Sequence, residues 1–91
     1  MSLKDYSREE IEDMALIELA KVILLEQKQA MDFYELYDKV AEAKGLTEEE
    51  KEDRMTLFYT ELNMDGNFKS LGSNKWILKR YYRGEKTSDA S

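Results

Sequence analysis

The apolar periodicity of this chain changes once, at Asp65-Gly66, and that change limits the folds open to it. Up to Asn63 the large apolar residues recur every three or four positions, the period of a helix with one buried face. After Gly66 they crowd into two short runs, Asn67 to Leu71 and Trp76 to Tyr82, separated by the turn-forming Gly72-Ser73-Asn74-Lys75. Helices come first, and a β-hairpin follows.

The helical part carries its own punctuation. Ser7-Arg8-Glu9-Glu10 reads as a capping box, in which hydroxyl and carboxylate satisfy each other's orphan amides. The stripe that follows, Ile11, Met14, Ala15, Leu16, Leu19, Ala20, Ile23 and Leu24, is too wide for one straight helix, so a short helix, a bend near Met14 and a longer helix are expected. Gln27 to Met31 reads as a connector with a short extended piece at Ala30-Met31. Asp32-Phe33-Tyr34-Glu35 is a second box, opening a helix with Phe33, Leu36, Tyr37, Val40 and Ala41 on one face. Gly45 supplies a left-handed stop followed by the apolar Leu46. Thr47-Glu48-Glu49-Glu50 is a third box, and its helix places Met55, Phe58, Tyr59 and Leu62 on one face before ending near Asn63. Asp65-Gly66 turns the chain, with positive φ expected at Gly66.

This order predicts a mainly α fold with a small β-hairpin, winged-helix-like, with 33–44 and 48–63 as the helix-turn-helix and 67–82 as the wing. A three-helix bundle with an incidental hairpin is the alternative. Residues 1–83 are expected to form one domain and 84–91 a flexible polar tail. At 91 residues and 42% hydrophobic, the chain can bury a real core.

Composition removes most chemistry. With no cysteine and no histidine, disulfides, thiol nucleophiles, and the commonest general base and metal ligand are all absent. The abundant carboxylates fall where capping and solvation already explain them. Asn63, Asp65 and Asn67 alternate around Gly66 as in a calcium loop, but the far glutamate is missing, and a turn accounts for them better. The longest uncharged apolar run, Val22 to Leu25, is far too short for a membrane span, and there is no basic-then-apolar leader. The expectation is a cytoplasmic, monomeric, non-catalytic domain with no cofactor, metal or membrane contact.

Charge then separates the partners. Residues 1–66 hold 18 acids and 8 bases, a net −10, whereas 67–91 hold 6 bases and 2 acids, a net +4. The segment that would read a DNA groove, 48–65, has seven acids against Lys51 and Arg54. Phosphates would repel it. The wing differs, because Lys69, Lys75, Lys79, Arg80 and Arg83 are interleaved with Phe68, Trp76, Tyr81 and Tyr82. Such a pattern suits an acidic protein surface or a nucleic-acid backbone. For the aromatics the plainer reading is that Phe68, Trp76 and Leu78 pack the hairpin on the helices.

The run Phe58-Tyr59-Thr60-Glu61-Leu62-Asn63-Met64-Asp65-Gly66-Asn67-Phe68, followed by Leu71, Trp76, Leu78 and Tyr82, resembles the delta-subunit family of Gram-positive bacterial RNA polymerase. Tyr6-Ser7, Met14 to Ala20 and Phe33-Tyr34-Glu35-Leu36 extend the similarity over about residues 5 to 82. The resemblance implies a HARE-type helix-turn-helix domain that docks on the polymerase core as a non-catalytic subunit. It further implies less non-specific initiation, displacement of nucleic acid, faster recycling and altered sensitivity to the initiating nucleotide. Two features depart from the family. Its strand after the tryptophan usually reads Gly-Leu-Arg and ends in Trp-Tyr, whereas here Trp76-Ile77-Leu78-Lys79-Arg80-Tyr81-Tyr82 stands in its place. The family also carries a long acidic tail after this domain, and this sequence stops at Ser91, either as a truncated piece or as a chain that performs only the docking half. The runner-up reading is a DNA-binding winged helix that contacts the phosphate backbone through its basic wing.

Overall fold

Local capping sets the helix starts. In the computed structural model, which describes residues 3–82, Ser7 closes a full box with Glu10 and opens α1 (Arg8–Asp13). Extended backbone at Met14 and Ala15 breaks the helix, and α2 (Leu16–Gln27) starts where the Glu18 carboxylate accepts from the Ala15 N–H at 2.8 Å. The bend expected near Met14 is therefore present. Lys28, with φ of +59°, ends α2.

β1 (Met31–Asp32) leads directly into α3 (Phe33–Lys44). Only half of the expected box forms there. Asp32 accepts from the N–H groups of Tyr34 and Glu35, and the Phe33 N–H donates to the Asn74 carbonyl in the wing. Gly45, at φ +76°, stops α3, with the Leu46 N–H reaching the Ala41 carbonyl and the Gly45 N–H reaching Glu42. This paired closure needs the left-handed residue that glycine supplies. α4 (Glu48–Met64) starts on the full Thr47–Glu50 box.

The junction after α4 differs from expectation. Gly66 is not in the left-handed region, and a side chain built on it would meet nothing within 4 Å. The Asp65 carboxylate makes the turn instead, accepting from both the backbone and side-chain N–H of Asn67 at 2.8 and 2.9 Å. β2 (Phe68–Gly72) and β3 (Lys75–Leu78) follow, joined by Ser73 and Asn74 with φ of +53° and +62°. Two consecutive positive φ values match the right-handed twist of a two-residue hairpin. The hairpin is shorter than expected, because Lys79–Tyr81 forms a 3₁₀ turn rather than continuing the strand. It is also not alone. β1 pairs with β3 (Met31 opposite Trp76), giving a three-stranded antiparallel sheet in the order β1-β3-β2.

The helix-turn-helix and the sheet share one core of Leu19, Leu24, Leu36, Tyr37, Val40, Phe58, Leu62, Phe68, Trp76 and Leu78, among others, all buried. The architecture is mainly helical and winged-helix-like.

Candidate protein-docking surface

The wing is the basic part of this molecule, and β3 divides its cations. Lys75 is exposed at the turn end of β3, opposite Asp32 of β1 and Gly72 of β2. Lys79 and Arg80 lie four and five residues on, in the 3₁₀ turn at the other end, roughly 13 Å away at strand spacing. Lys69, half-buried on β2, belongs with this second group. Its ammonium lies 5.3 Å from the centre of the Tyr82 ring. The Arg80 guanidinium lies 5.7 Å from the Tyr81 ring. Such placements hold a cation near a flat apolar surface without neutralising it. The structure thus groups Lys69, Lys79 and Arg80 with two tyrosines and sets Lys75 apart. Arg83 lies outside the described residues, as does the tail 84–91.

The base of the wing is fastened to the body. The Lys79 N–H donates to the Asn67 carbonyl at 2.9 Å, and the Tyr82 N–H returns to the Lys79 carbonyl at 3.0 Å. Tyr81 is half-buried with its hydroxyl 3.5 Å from the Leu25 carbonyl at the end of α2.

The aromatic motif residues divide between core and surface. Phe58, Leu62, Phe68 and Trp76 are buried, so their role is packing. Tyr59, expected on the same face as Phe58, is 47% exposed. Its ring meets Phe33 and Trp76 edge-on, with centroids at 5.3 and 6.4 Å. Asn63 is exposed and donates to the Tyr59 carbonyl, while Asp65 and Gly66 form the junction described above.

α4 occupies the place of a groove-reading helix, and its charge is acidic. Its two basic side chains are each engaged: Lys51 with Asp38 at 2.6 Å and Arg54 with Glu50 at 3.8 Å. The Asp38 hydrogen bond pushes the Lys51 ammonium above its ordinary pKa, so it stays charged there. Among the described residues no group of three or more acidic, histidine or cysteine side chains is placed to hold a metal, and no helix is long and apolar enough to cross a membrane.

The HARE-HTH family profile, whose description names the HTH domain of ASXL and restriction endonuclease proteins, matches residues 14–81. Among curated proteins, the probable DNA-directed RNA polymerase subunit delta of Oceanobacillus iheyensis is 42% identical over 89 residues, covering 98% of this chain and 51% of that protein. The Bacillus licheniformis protein of the same description is 48% identical over 82 residues, covering 90% and 48%. The DNA-directed RNA polymerase subunit delta of Bacillus subtilis is 42% identical over 82 residues, covering 90% and 47%. The chain spans about half the length of the curated relatives it matches.

Proposed function

This chain belongs to the HARE-HTH family, and from that premise we propose that it is the docking domain of a delta-like, non-catalytic accessory subunit of bacterial RNA polymerase. In this reading it acts in the cytoplasm as a monomer, without a cofactor, and it binds the core enzyme to sharpen initiation and speed recycling. The observation that carries the reading is the sign of α4, where a winged helix that reads DNA would present lysines and arginines. Here its only two basic side chains are already paired with acids, which leaves the helix negative.

Docking is assigned to the base of the wing. Lys69, Lys79 and Arg80 offer positive charge beside half-buried tyrosine rings, suited to an acidic protein surface, with Arg83 and Lys75 as flanking cations. Direct contact with nucleic acid is weak or indirect in this scheme.

The test is binding of the 91-residue chain to purified Bacillus subtilis core polymerase, followed by anisotropy. Wild type is expected to bind, and Lys79→Glu/Arg80→Glu to bind about tenfold more weakly. Duplex DNA in about 50 mM salt should give a flat titration, since such salt favours even non-specific binding. No association with core enzyme, or salt-sensitive duplex binding lost with Lys69 and Lys75, overturns the docking assignment in favour of the DNA-binding reading.

A further inference from the structure

The outward stripe of α4 is not built like a solvated helix face. Glu49, Asp53, Leu57, Thr60 and Met64 follow one another at helical spacing and line a single side, away from the buried Phe58 and Leu62. Leu57 is 58% exposed and Met64 80% exposed, the latter being the most exposed large apolar side chain among the described residues. Ile17 of α2 lies beside Met64 and continues the apolar surface across a shallow depression also lined by Glu61 and Asp65.

The polar groups in and beside this stripe are satisfied by their own helix. The Thr60 hydroxyl donates to the Thr56 carbonyl at 3.0 Å, and the Asn63 amide donates to the Tyr59 carbonyl at 2.8 Å. Removing water from these groups leaves those donors bonded, so covering the apolar half of the stripe carries a small desolvation penalty. The amino-terminal half is different. Glu49, Glu52 and Asp53 have no ion-pair partner among the described residues, because Lys51 and Arg54 are held by Asp38 and Glu50.

We propose that this stripe is a second docking surface, whose occupant is a partner-protein face with an apolar recess for Leu57 and Met64 flanked by lysine or arginine side chains for Glu49 and Asp53. The proposal rests on the polymerase-docking reading and deepens it by adding a contact opposite in sign to the wing. Charge selects this occupant over the others. A nucleic acid is repelled by the unpaired carboxylates. A second copy in a two-fold pairing would set the same acids against each other.

The experiment uses the 91-residue chain with Bacillus subtilis core polymerase and three variants: Leu57→Ala/Met64→Ala, Asp53→Lys, and Lys79→Glu/Arg80→Glu. Asp53, Lys79 and Arg80 are polar and exposed, so circular dichroism and melting should match wild type in their variants, with the Leu57/Met64 double variant close behind. The apolar variant is expected to weaken core binding about tenfold at every salt concentration. Asp53→Lys should weaken it several-fold at low salt, with the difference disappearing near about 0.5 M as screening takes over. Combined with the wing variant, the losses should multiply, since the two surfaces are separate. If both α4 variants bind like wild type while the wing variant is weakened, the stripe is not a docking surface and the wing assignment stands. If wild type itself fails to bind core, the docking reading falls and the stripe falls with it. If Leu57→Ala/Met64→Ala instead dissociates a dimer of the free chain, the occupant is a second copy and the proposal is wrong.

Discussion

The Tyr37 hydroxyl donates to the Lys51 carbonyl oxygen at 2.5 Å, bonding the core of α3 to the first turns of α4. The ring is fully buried, 5.0 Å from Phe58 and stacked on Phe33 at 6.2 Å. The next residue, Asp38, pairs with the Lys51 ammonium. Two neighbouring side chains of one helix thus hold a single residue of the other, and they fix the angle of the helix-turn-helix.

Tyr37→Phe keeps the packing and removes the hydroxyl, so a loss of about 1 kcal/mol is expected, read from the urea midpoint at unchanged slope. Burial pushes the Tyr37 hydroxyl above its ordinary pKa of 10.0. Its contribution is therefore complete below that pH and is lost as pH rises through the folded-state value. The variant should accordingly show a shallower alkaline decline than wild type. A midpoint unchanged within error would mean that the bond adds nothing.

Lys44, the last residue of α3, reaches 30 residues back along the chain. Its ammonium donates to the carbonyls of Ile11, Glu12 and Met14 at the corner between α1 and α2. All three of its donors are used on carbonyls at the open end of α1. Lys44→Met, which keeps the stem, should cost about 1–3 kcal/mol and speed amide exchange across the α1 corner more than in α4. Uniform exchange changes along the chain would show that the lysine acts on global stability alone.

Helix starts are legible in the sequence because a capping box is local: Ser7, Asp32 and Thr47 each announce their helix within four residues. The Gly45-Leu46 stop is legible for the same reason. Contacts between distant parts of the chain are not. The two residues of β1 form a strand only because Trp76 and Lys75 lie beside them, more than 40 positions away in sequence. Trp76 to Tyr82 reads as one strand, yet the Lys79–Asn67 and Tyr82–Lys79 backbone bonds curl its second half into a 3₁₀ turn. The cations of the candidate surface can be named from the sequence, but their division by β3 cannot. Helical phase assigns Tyr59 to the core. Packing edge-on against Phe33 and Trp76 leaves it half in water.

Trp76 is the central residue of the sheet, 3% exposed and facing Met31 on one neighbour and Ser70 on the other. Truncating it to alanine should cost about 3–5 kcal/mol, because the cavity lies where sheet and helices meet and the surrounding rings relax only partly. A loss under about 1 kcal/mol by denaturant titration would mean that the site collapses freely.

Gly45 and Gly66 should respond in opposite directions to alanine. At Gly45 the left-handed backbone strains any side chain, so the helix stop weakens by about 1 kcal/mol. At Gly66 the backbone is ordinary and the surrounding space is open, so alanine should be neutral or stabilise by about 0.4–1 kcal/mol through the unfolded chain. Equal losses at both positions would show that the Asp65 turn depends on glycine after all.

Acid should act on α4 through Glu50. The Thr47 backbone N–H donates to its carboxylate at 2.9 Å, and this bond, helped by nearby Arg54, holds the group below its ordinary pKa of 4.5. A carboxyl whose folded pKa lies below its unfolded one contributes its full stabilisation above the unfolded value. The contribution is lost as pH falls through the folded value. Glu50→Gln preserves an acceptor but carries no charge, so it should be less stable than wild type at neutral pH. The gap should narrow as pH drops below 4.5 and the wild-type carboxylate takes up its proton. Thermal melts of both proteins across that range measure the gap directly. Because the other carboxylates titrate alike in the two chains, their effects cancel in the difference. Acid limbs that run parallel would show that the cap works through hydrogen-bond geometry alone, with no contribution from charge.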